Sequence, residues 1–109
     1  MTGILPGEFW LAEIPFTDGS APKIRPVLIL WRDGLDLVVA AVTSVPPRSV
    51  TDVALGDWLA AGLRVPSTVR LSRLACLEQS LMRFRLGRLS RPDARQLRQV
   101  WRNEIRPQF

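Results

Sequence analysis

Histidine is absent from this 109-residue sequence, and cysteine occurs once, at Cys76. Without an imidazole there is no serine or cysteine triad, no histidine base and no histidine metal ligand. A single cysteine permits no internal disulfide, which is typical of reducing compartments, and one thiol with scattered carboxylates makes no zinc site. The glycine patterns of phosphate-binding and dinucleotide-binding loops are missing as well. We therefore expect no metal and no cofactor.

Long apolar runs are also missing. The longest, Leu37 to Val42, is suited to a buried strand and is much shorter than a membrane-spanning helix of about 20 residues. No basic segment followed by an apolar one opens the sequence, so we expect a cytoplasmic protein without membrane association. The length and the 47% hydrophobic content favour a single globular domain, residues 1–109.

Lysine is nearly absent, because fourteen of the fifteen basic residues are arginine. Residues 1–62 carry a net charge of −3, whereas residues 63–109 carry +8. The planar guanidinium suits phosphate and carboxylate groups better than an ammonium does, so an anionic partner is indicated: RNA, DNA or an acidic protein segment. The alternative is an arginine-rich surface that only contacts solvent.

The residue pattern predicts a mostly β fold. Two nearly continuous apolar strands should be covered on both faces, as in a small closed barrel. A short helix is expected at 55–61, closed by Gly62. The predicted strands are residues 8–14, 27–31, 35–45, 49–54, 65–71 and 76–86.

The last predicted element is a helix that starts at Ser90, with Asp93 as its partner in the first turn and Pro92 allowed there. Apolar residues repeat at helical spacing from Leu97 to Ile105 and include Trp101. The arginines between them predict a solvent-facing side. We expect Trp101, and Trp58 of the short helix, to belong to the core.

The junction from Gly19 to Leu30 is the first candidate for a functional site. A polar loop with two cations, Lys23 and Arg25, leads directly into an apolar strand. Pro26 has no amide hydrogen and favours extended geometry at the residue before it, which fixes where the Arg25 side chain leaves the backbone. These charges could equally be loop residues beside a core strand.

The remaining residue types favour chemistry that needs arginine, hydroxyl groups and no cofactor. Phosphodiester transfer within RNA is the leading member of that class, because the substrate brings its own nucleophile in the adjacent ribose hydroxyl. The protein then has to position that hydroxyl, stabilise additional negative charge on phosphorus and move two protons.

Short motifs occur in a fixed order along nearly the whole chain: Glu8-Phe-Trp-Leu-Ala, Gly19-Ser20, Lys23-x-Arg25-Pro26-Val27-Leu28, Thr43-Ser44, Pro66-Ser67-x-Val69-Arg70 and Leu86-Gly87-x-Leu89-Ser90. In their order and spacing they resemble the MazF/PemK toxins of bacterial toxin–antitoxin pairs. The resemblance implies an SH3-like β-barrel with short helices that forms a homodimer. It also implies cleavage of single-stranded RNA at specific sequences without a metal, leaving a cyclic phosphate and a 5′-hydroxyl, and inhibition by a cognate antitoxin with an acidic tail.

The same resemblance suggests roles for individual residues. Arg25 would stabilise the phosphorane or donate a proton, and Thr43 with Ser44 would hydrogen-bond the scissile phosphate. Arg70 falls where some members have a second catalytic arginine. Without the resemblance, we would interpret the two hydroxyls as strand-end residues that satisfy backbone groups, and Arg70 as a solvent-facing charge.

Departures from the family pattern leave the general base unassigned. Family members often have a glutamate in the loop where this sequence has Ser20-Ala21, and many have an aspartate where it has Ser72. Glu8 matches a family carboxylate by position and Asp18 lies in the relevant loop. The predicted RNA-binding residues are Glu8, Asp18, Ser20, Lys23 and Ser44. Two alternatives stay open: a barrel that binds nucleic acid or antitoxin without cutting, and a gyrase-directed toxin similar to CcdB.

Overall fold

One six-stranded antiparallel sheet dominates the computed structural model, which describes residues 3–15 and 18–109. The spatial strand order is β4-β5-β3-β2-β1-β6. The strands are β1 (Glu8–Ile14), β2 (Lys23–Asp33), β3 (Asp36–Thr43), β4 (Asp52–Ala54), β5 (Thr68–Glu78) and β6 (Met82–Arg88). A 3-10 turn, Gln79–Leu81, joins β5 to β6, and one α-helix, α1 (Arg91–Glu104), ends the chain.

The mostly β fold class is confirmed, but the closed barrel is not. Among the described residues the hydrogen-bonded ladder ends at β4 on one side and at β6 on the other, so the sheet is open. One face of the sheet, the one that carries Leu28, is covered by α1 and by the segment after β4, which contributes Leu55, Ala61 and Leu63 to the core. These elements remove the need for the two edge strands to pair.

Both faces of the central strands are buried, as their continuous apolar sequences predict. On β2, Leu28 belongs to the core cluster that includes Leu97 of α1, whereas Val27 and Ile29 belong to a second cluster on the opposite face. This alternation follows from the two-residue period of a strand. The two-sided core makes the middle of the sheet a rigid support for its ends.

Helix α1 begins as predicted. The Ser90 hydroxyl accepts a hydrogen bond from the Asp93 amide at 3.2 Å, and Pro92 lies in the first turn. Trp101 and Trp58 are both half-buried and pack against the first core cluster. Trp101 also meets Trp31 of β2 edge to face, with ring centroids 5.8 Å apart. Within the described ranges, no helix is long and apolar enough to cross a membrane.

The predicted helix at 55–61 is wrong, because this segment forms a series of turns. The Asp93 carboxylate of α1 accepts hydrogen bonds from the amides of Gly56 and Asp57, both at 2.9 Å. These bonds fix the start of the segment from outside. A tertiary contact with a residue 36 or 37 positions away is not visible in local helical spacing.

The predicted break between strands at residues 72–75 is also wrong, because β5 runs continuously from Thr68 to Glu78. Its pairing with β3 shifts between Ala40, opposite Leu74, and Ala41, opposite Arg70. The extra residues form a bulge, in which Ser72 and Arg73 are exposed. The polar pair therefore marks an irregularity within one strand.

Candidate functional site

A groove with a volume of about 760 Å³ lies at the end of the sheet where β2 begins and β3 ends. Its floor is apolar and comes from four strands, and one wall is the segment that precedes β5. Three predicted site residues, Arg25, Thr43 and Ser44, line it together. The lining residues are Leu11, Ile24, Arg25, Pro26, Val42, Thr43, Ser44, Gly62, Leu63, Arg64, Val65, Ser67, Phe84 and Leu86.

Arg25 is held at the groove by the first residues of β2. Its backbone pairs with Ala12 of β1, and Pro26 pairs with Leu11. The exposed guanidinium donates one hydrogen bond, at 3.3 Å, to the carbonyl oxygen of Ile24. Across the described parts of the chain, no carboxylate forms an ion pair with Arg25. Its positive charge is therefore available to an anion that enters the groove.

Thr43 and Ser44 lie where β3 ends. Thr43 pairs with Thr68 of β5, and its hydroxyl oxygen accepts a hydrogen bond from the Val45 amide at 3.2 Å. The pairing of β2 with β3 starts at Val27 and Ala41, and the same register continued by two residues leads from Arg25 to Thr43. The guanidinium and the two hydroxyls thus come from neighbouring strands, although 18 positions separate Arg25 from Thr43.

The wall of the groove is fixed to β6 by two glycines. A Cβ atom at Gly62 would lie 2.0 Å from the carbonyl oxygen of Leu86, and one at Gly87 would lie 2.2 Å from that of Ala61. Gly62 also has a φ of +91°. Further along, the Ser67 hydroxyl donates to the Val65 carbonyl at 2.7 Å. Leu86-Gly87 was one of the motifs in the sequence, and this close approach is the physical reason for its glycine.

Arg64 and Phe84 also line the groove, and the sequence analysis did not single them out. Arg64 is exposed and has no ion pair among the described residues. Phe84 is 61% exposed, which is unusual for a large apolar side chain in a strand. Arginine is too frequent in this chain for Arg64 to stand out, but an exposed phenylalanine between Arg83 and Arg85 was a usable signal.

Glu8 lies outside the groove lining and is already engaged. Its carboxylate accepts bonds from the Leu5 amide at 2.8 Å, the Trp10 indole at 3.0 Å and the Arg85 guanidinium at 2.7 Å. Burial raises the pKa of Glu8, but these three hydrogen bonds and the charge of Arg85 outweigh burial and leave the pKa below its usual value. This geometry favours a structural role.

Arg70 is likewise outside the groove lining. Its Nε lies 3.3 Å from Oδ1 of Asp52, the residue opposite it on β4. Asp52 also accepts a hydrogen bond from the Arg48 amide at 2.9 Å. Burial raises the pKa of Asp52, but the Arg48 bond and the bond and charge of Arg70 leave it lowered overall. The predicted second catalytic arginine is therefore held by a buried carboxylate.

Three predicted RNA-binding residues, Asp18, Ser20 and Lys23, lie between β1 and β2 or at the first position of β2, and none of them lines the groove. The Asp18 carboxylate accepts bonds from the Ser20 hydroxyl at 2.6 Å and the Ser20 amide at 2.9 Å, and these lower the pKa of Asp18. Lys23 pairs through its backbone with Ile14. No carboxylate is among the described residues that line the groove.

A mostly β domain with a groove that combines two arginines without an ion pair among the described residues, three hydroxyl groups and an apolar floor is suited to binding an anion with attached apolar groups. Residues 5–103 match the PemK-like, MazF-like toxins of type II toxin–antitoxin systems, so the chain belongs to this family. No protein with a curated description matches the sequence.

Solved structures from mycobacteria share the fold. An endoribonuclease in complex with its cognate antitoxin superposes with a TM-score of 0.76 at 16% identity and covers 96% of this chain and 100% of its own. Another mycobacterial endoribonuclease superposes with a TM-score of 0.72 at 18% identity, and the match covers 92% of this chain and 88% of that one. The Mycobacterium tuberculosis toxin MazF-mt6 superposes with a TM-score of 0.69 at 23% identity, and the match covers 85% of this chain and 90% of that one. At these identities the likeness shows the fold.

Proposed function

We propose that this protein is a toxin endoribonuclease that cleaves single-stranded RNA in the groove between Arg25 and the wall 62–67. The observation that carries the proposal is that Arg25, Thr43 and Ser44 line one groove and that no carboxylate of residues 3–15 and 18–109 neutralises Arg25. Family membership and the two endoribonucleases of the same fold support this class of activity.

The proposed reaction is transfer of a phosphodiester within the RNA. The ribose 2′ oxygen attacks the adjacent phosphorus, the bond from phosphorus to the 5′ oxygen breaks, and the products are a 2′,3′-cyclic phosphate and a 5′-hydroxyl. Arg25 stabilises the additional negative charge that develops on the phosphoryl oxygens. Thr43 and Ser44 donate hydrogen bonds to the same phosphate and orient it for in-line attack.

The two proton transfers cannot use an imidazole, because the chain contains no histidine. Glu8 is engaged by three donors, and neither Glu8 nor Asp18 is among the described residues that line the groove. Water therefore takes the proton from the 2′-hydroxyl and supplies the one that the 5′ oxygen gains. Cleavage by this route is slow and becomes faster as pH rises, and Asp18→Asn leaves the rate unchanged.

We propose that the protein acts in the cytoplasm as a homodimer and that an antitoxin segment of acidic and apolar character controls it. A second cleft, with a volume of about 720 Å³, lies between α1 and β2 and joins Trp31 and Trp101 to three exposed arginines, Arg88, Arg91 and Arg98. Its charge and its aromatic surface are complementary to such a segment.

The test is incubation of the purified protein with a long, mostly unstructured RNA in excess EDTA, followed by mapping of cut sites and end groups. Discrete cuts with cyclic phosphate ends, which disappear with Arg25→Ala, are the expected result. Arg95→Gln, on the exposed side of α1, serves as the matched control and should cut normally. Intact RNA from folded, dimeric protein would refute the catalytic proposal and favour the alternative that the groove binds RNA without cutting it.

A further inference from the structure

Phe84 is the large apolar side chain of the groove that the proposed chemistry does not use. It lies on β6 opposite Leu11 of β1, and Leu11 in turn pairs with Pro26 of β2. These three residues form a row across neighbouring strands, and all of them line the groove. The row ends at Pro26, which is next to Arg25 in the chain, and Arg25 lines the same groove. The groove therefore contains both the exposed ring and the cation that is proposed to hold the scissile phosphate.

The exposure of Phe84 is not a sign of a loose edge strand. Both neighbours along β6 are tied to β1 by ion pairs, Arg83 to Glu13 at 3.1 Å and Arg85 to Glu8 at 2.7 Å. Alternation along a strand turns Phe84 to the face opposite these arginines. The ring is thus presented to the groove by a strand that is anchored on both sides of it.

The opposite wall supplies a second cation. Arg64 is two residues beyond Gly62, and the contact of Gly62 with the Leu86 backbone fixes this segment close to the end of β6. Arg25 and Arg64 are the arginines among the described lining residues, and neither forms an ion pair there. An aromatic ring and two cations in one groove are the groups that bind single-stranded nucleic acid, through stacking and phosphate contacts.

We propose that Phe84 is a stacking surface for one base of the RNA next to the scissile phosphate, and that Arg64 contacts a neighbouring backbone phosphate. This inference rests on the proposed function and adds a base subsite to it. Such a ring stacks on any base, so it contributes affinity and position and does not select the sequence. Phe84 and Arg64 are binding residues and take no part in proton transfer.

The experiment measures binding without cleavage. The probe is a single-stranded 2′-O-methyl oligonucleotide with the sequence around a mapped cut site, which lacks the attacking hydroxyl. Fluorescence anisotropy gives Kd for the wild type and for Phe84→Leu, which keeps apolar bulk but loses the aromatic face. We expect Phe84→Leu to weaken binding by about 5- to 150-fold, and Phe84→Trp to bind at least as tightly as the wild type. The matched control is Phe109→Leu, at an exposed position near the end of the chain, which should not change Kd.

Arg64 is tested through the salt dependence of the same binding. Removing one phosphate contact to a single strand lowers the slope of log K against log salt by about 0.7. Arg64→Gln should show that loss, whereas Phe84→Leu should leave the slope unchanged, and Arg95→Gln is the control for a change in total charge. Equal slopes for Arg64→Gln and the wild type would overturn the phosphate contact.

Two results separate failure of this subsite from failure of the proposed function. A wild-type protein that cuts RNA, with a Phe84→Leu variant that binds the probe equally well, overturns the subsite alone. A Phe84→Leu variant that changes the oligomeric mass by light scattering also overturns it, because the ring would then be a protein contact. A wild-type protein that neither cuts the long RNA nor binds a single-stranded 2′-O-methyl oligonucleotide of mixed sequence refutes the proposed function, and the subsite with it.

Discussion

Gly62 and Gly87 meet backbone to backbone, so closely that a Cβ atom on either one would lie within 2.2 Å of the other segment's carbonyl oxygen. The contact joins the segment after β4 to β6, and it forms one end of the groove. Neither backbone can move aside without displacing a strand or the wall that carries Arg64.

The first prediction is that Gly87→Ala destabilises the protein and weakens RNA cleavage together. Forcing a methyl group against backbone costs about 1–3 kcal/mol, which lowers the melting temperature of a domain of this size by several degrees. Gly56→Ala is the matched control, because its Cβ would lie at an ordinary 3.4 Å from the Asp93 carboxylate. Equal thermal melting of the two variants would contradict the backbone contact.

The second prediction concerns Asp93, which fixes the segment 56–57 to α1. Asp93→Asn should lower the free energy of unfolding by about 1–3 kcal/mol, because an amide has one acceptor oxygen for two backbone donors and places an N–H against one of them. The negative charge near the first turn of the helix is lost as well. Urea denaturation measures the effect, with Asp57→Asn, an exposed carboxylate in the same turn, as control. A variant as stable as the wild type would mean that these two bonds make no net contribution to the free energy of unfolding.

Asp93 also shows why part of the fold was not predictable from the sequence. The central strands and α1 could be predicted because their patterns are local: apolar runs for β2 and β3, and Ser90 with Asp93 for the helix start. The segment 55–61 was predicted as a helix, whereas the bonds that hold the start of the observed turns come from α1 and are not visible in local spacing. The open sheet was not predicted either, because the sequence of an apolar strand does not indicate whether another strand or a helix covers it.

The groove residues also divide into those that local sequence predicts and those that depend on distant contacts. Arg25 was predictable because Pro26 and the start of an apolar strand fix its position locally. Whether a carboxylate neutralises an arginine depends on residues that are distant in sequence. Arg70 pairs with Asp52, whereas Arg25 has no carboxylate partner among the described residues. Arg64 and Phe84 join the groove only through the pairing of β6 with β1 and the Gly62 contact. The flanking arginines mark Phe84 in the sequence, but nothing at the position of Arg64 indicates either relationship.

The third prediction is a loss of stability in acid. The pKa values of Glu8 and Asp52 are both lowered in the folded protein, so the unfolded chain binds more protons in the acid range. Their stabilisation is complete above the usual carboxyl pKa values of 4.5 and 3.8 and is lost as pH falls through the lowered ones. The urea midpoint should therefore be flat from neutral pH to about 5 and fall below it.

Glu8→Gln isolates one of these two groups. This variant removes the titrating carboxylate, so its urea midpoint should fall less steeply with acid than that of the wild type. Glu104→Gln, at the exposed end of α1, should titrate like the wild type. If Glu8→Gln keeps the full acid dependence, the bonds from Leu5, Trp10 and Arg85 do not stabilise the ionised form.

The last prediction separates the two arginines that the sequence nominated for catalysis. Arg25→Ala should abolish cleavage and leave the melting temperature unchanged, since its guanidinium makes one hydrogen bond, to a neighbouring carbonyl. Arg70→Ala should instead lower stability, because it leaves the Asp52 carboxylate, whose side chain is 2% exposed, without its cation. Adding Asp52→Asn to Arg70→Ala removes that stranded charge and should recover part of the lost stability and the cleavage of RNA. If the double variant regains the stability but still does not cut RNA, Arg70 acts in the reaction, and the ion pair with Asp52 then positions a catalytic group.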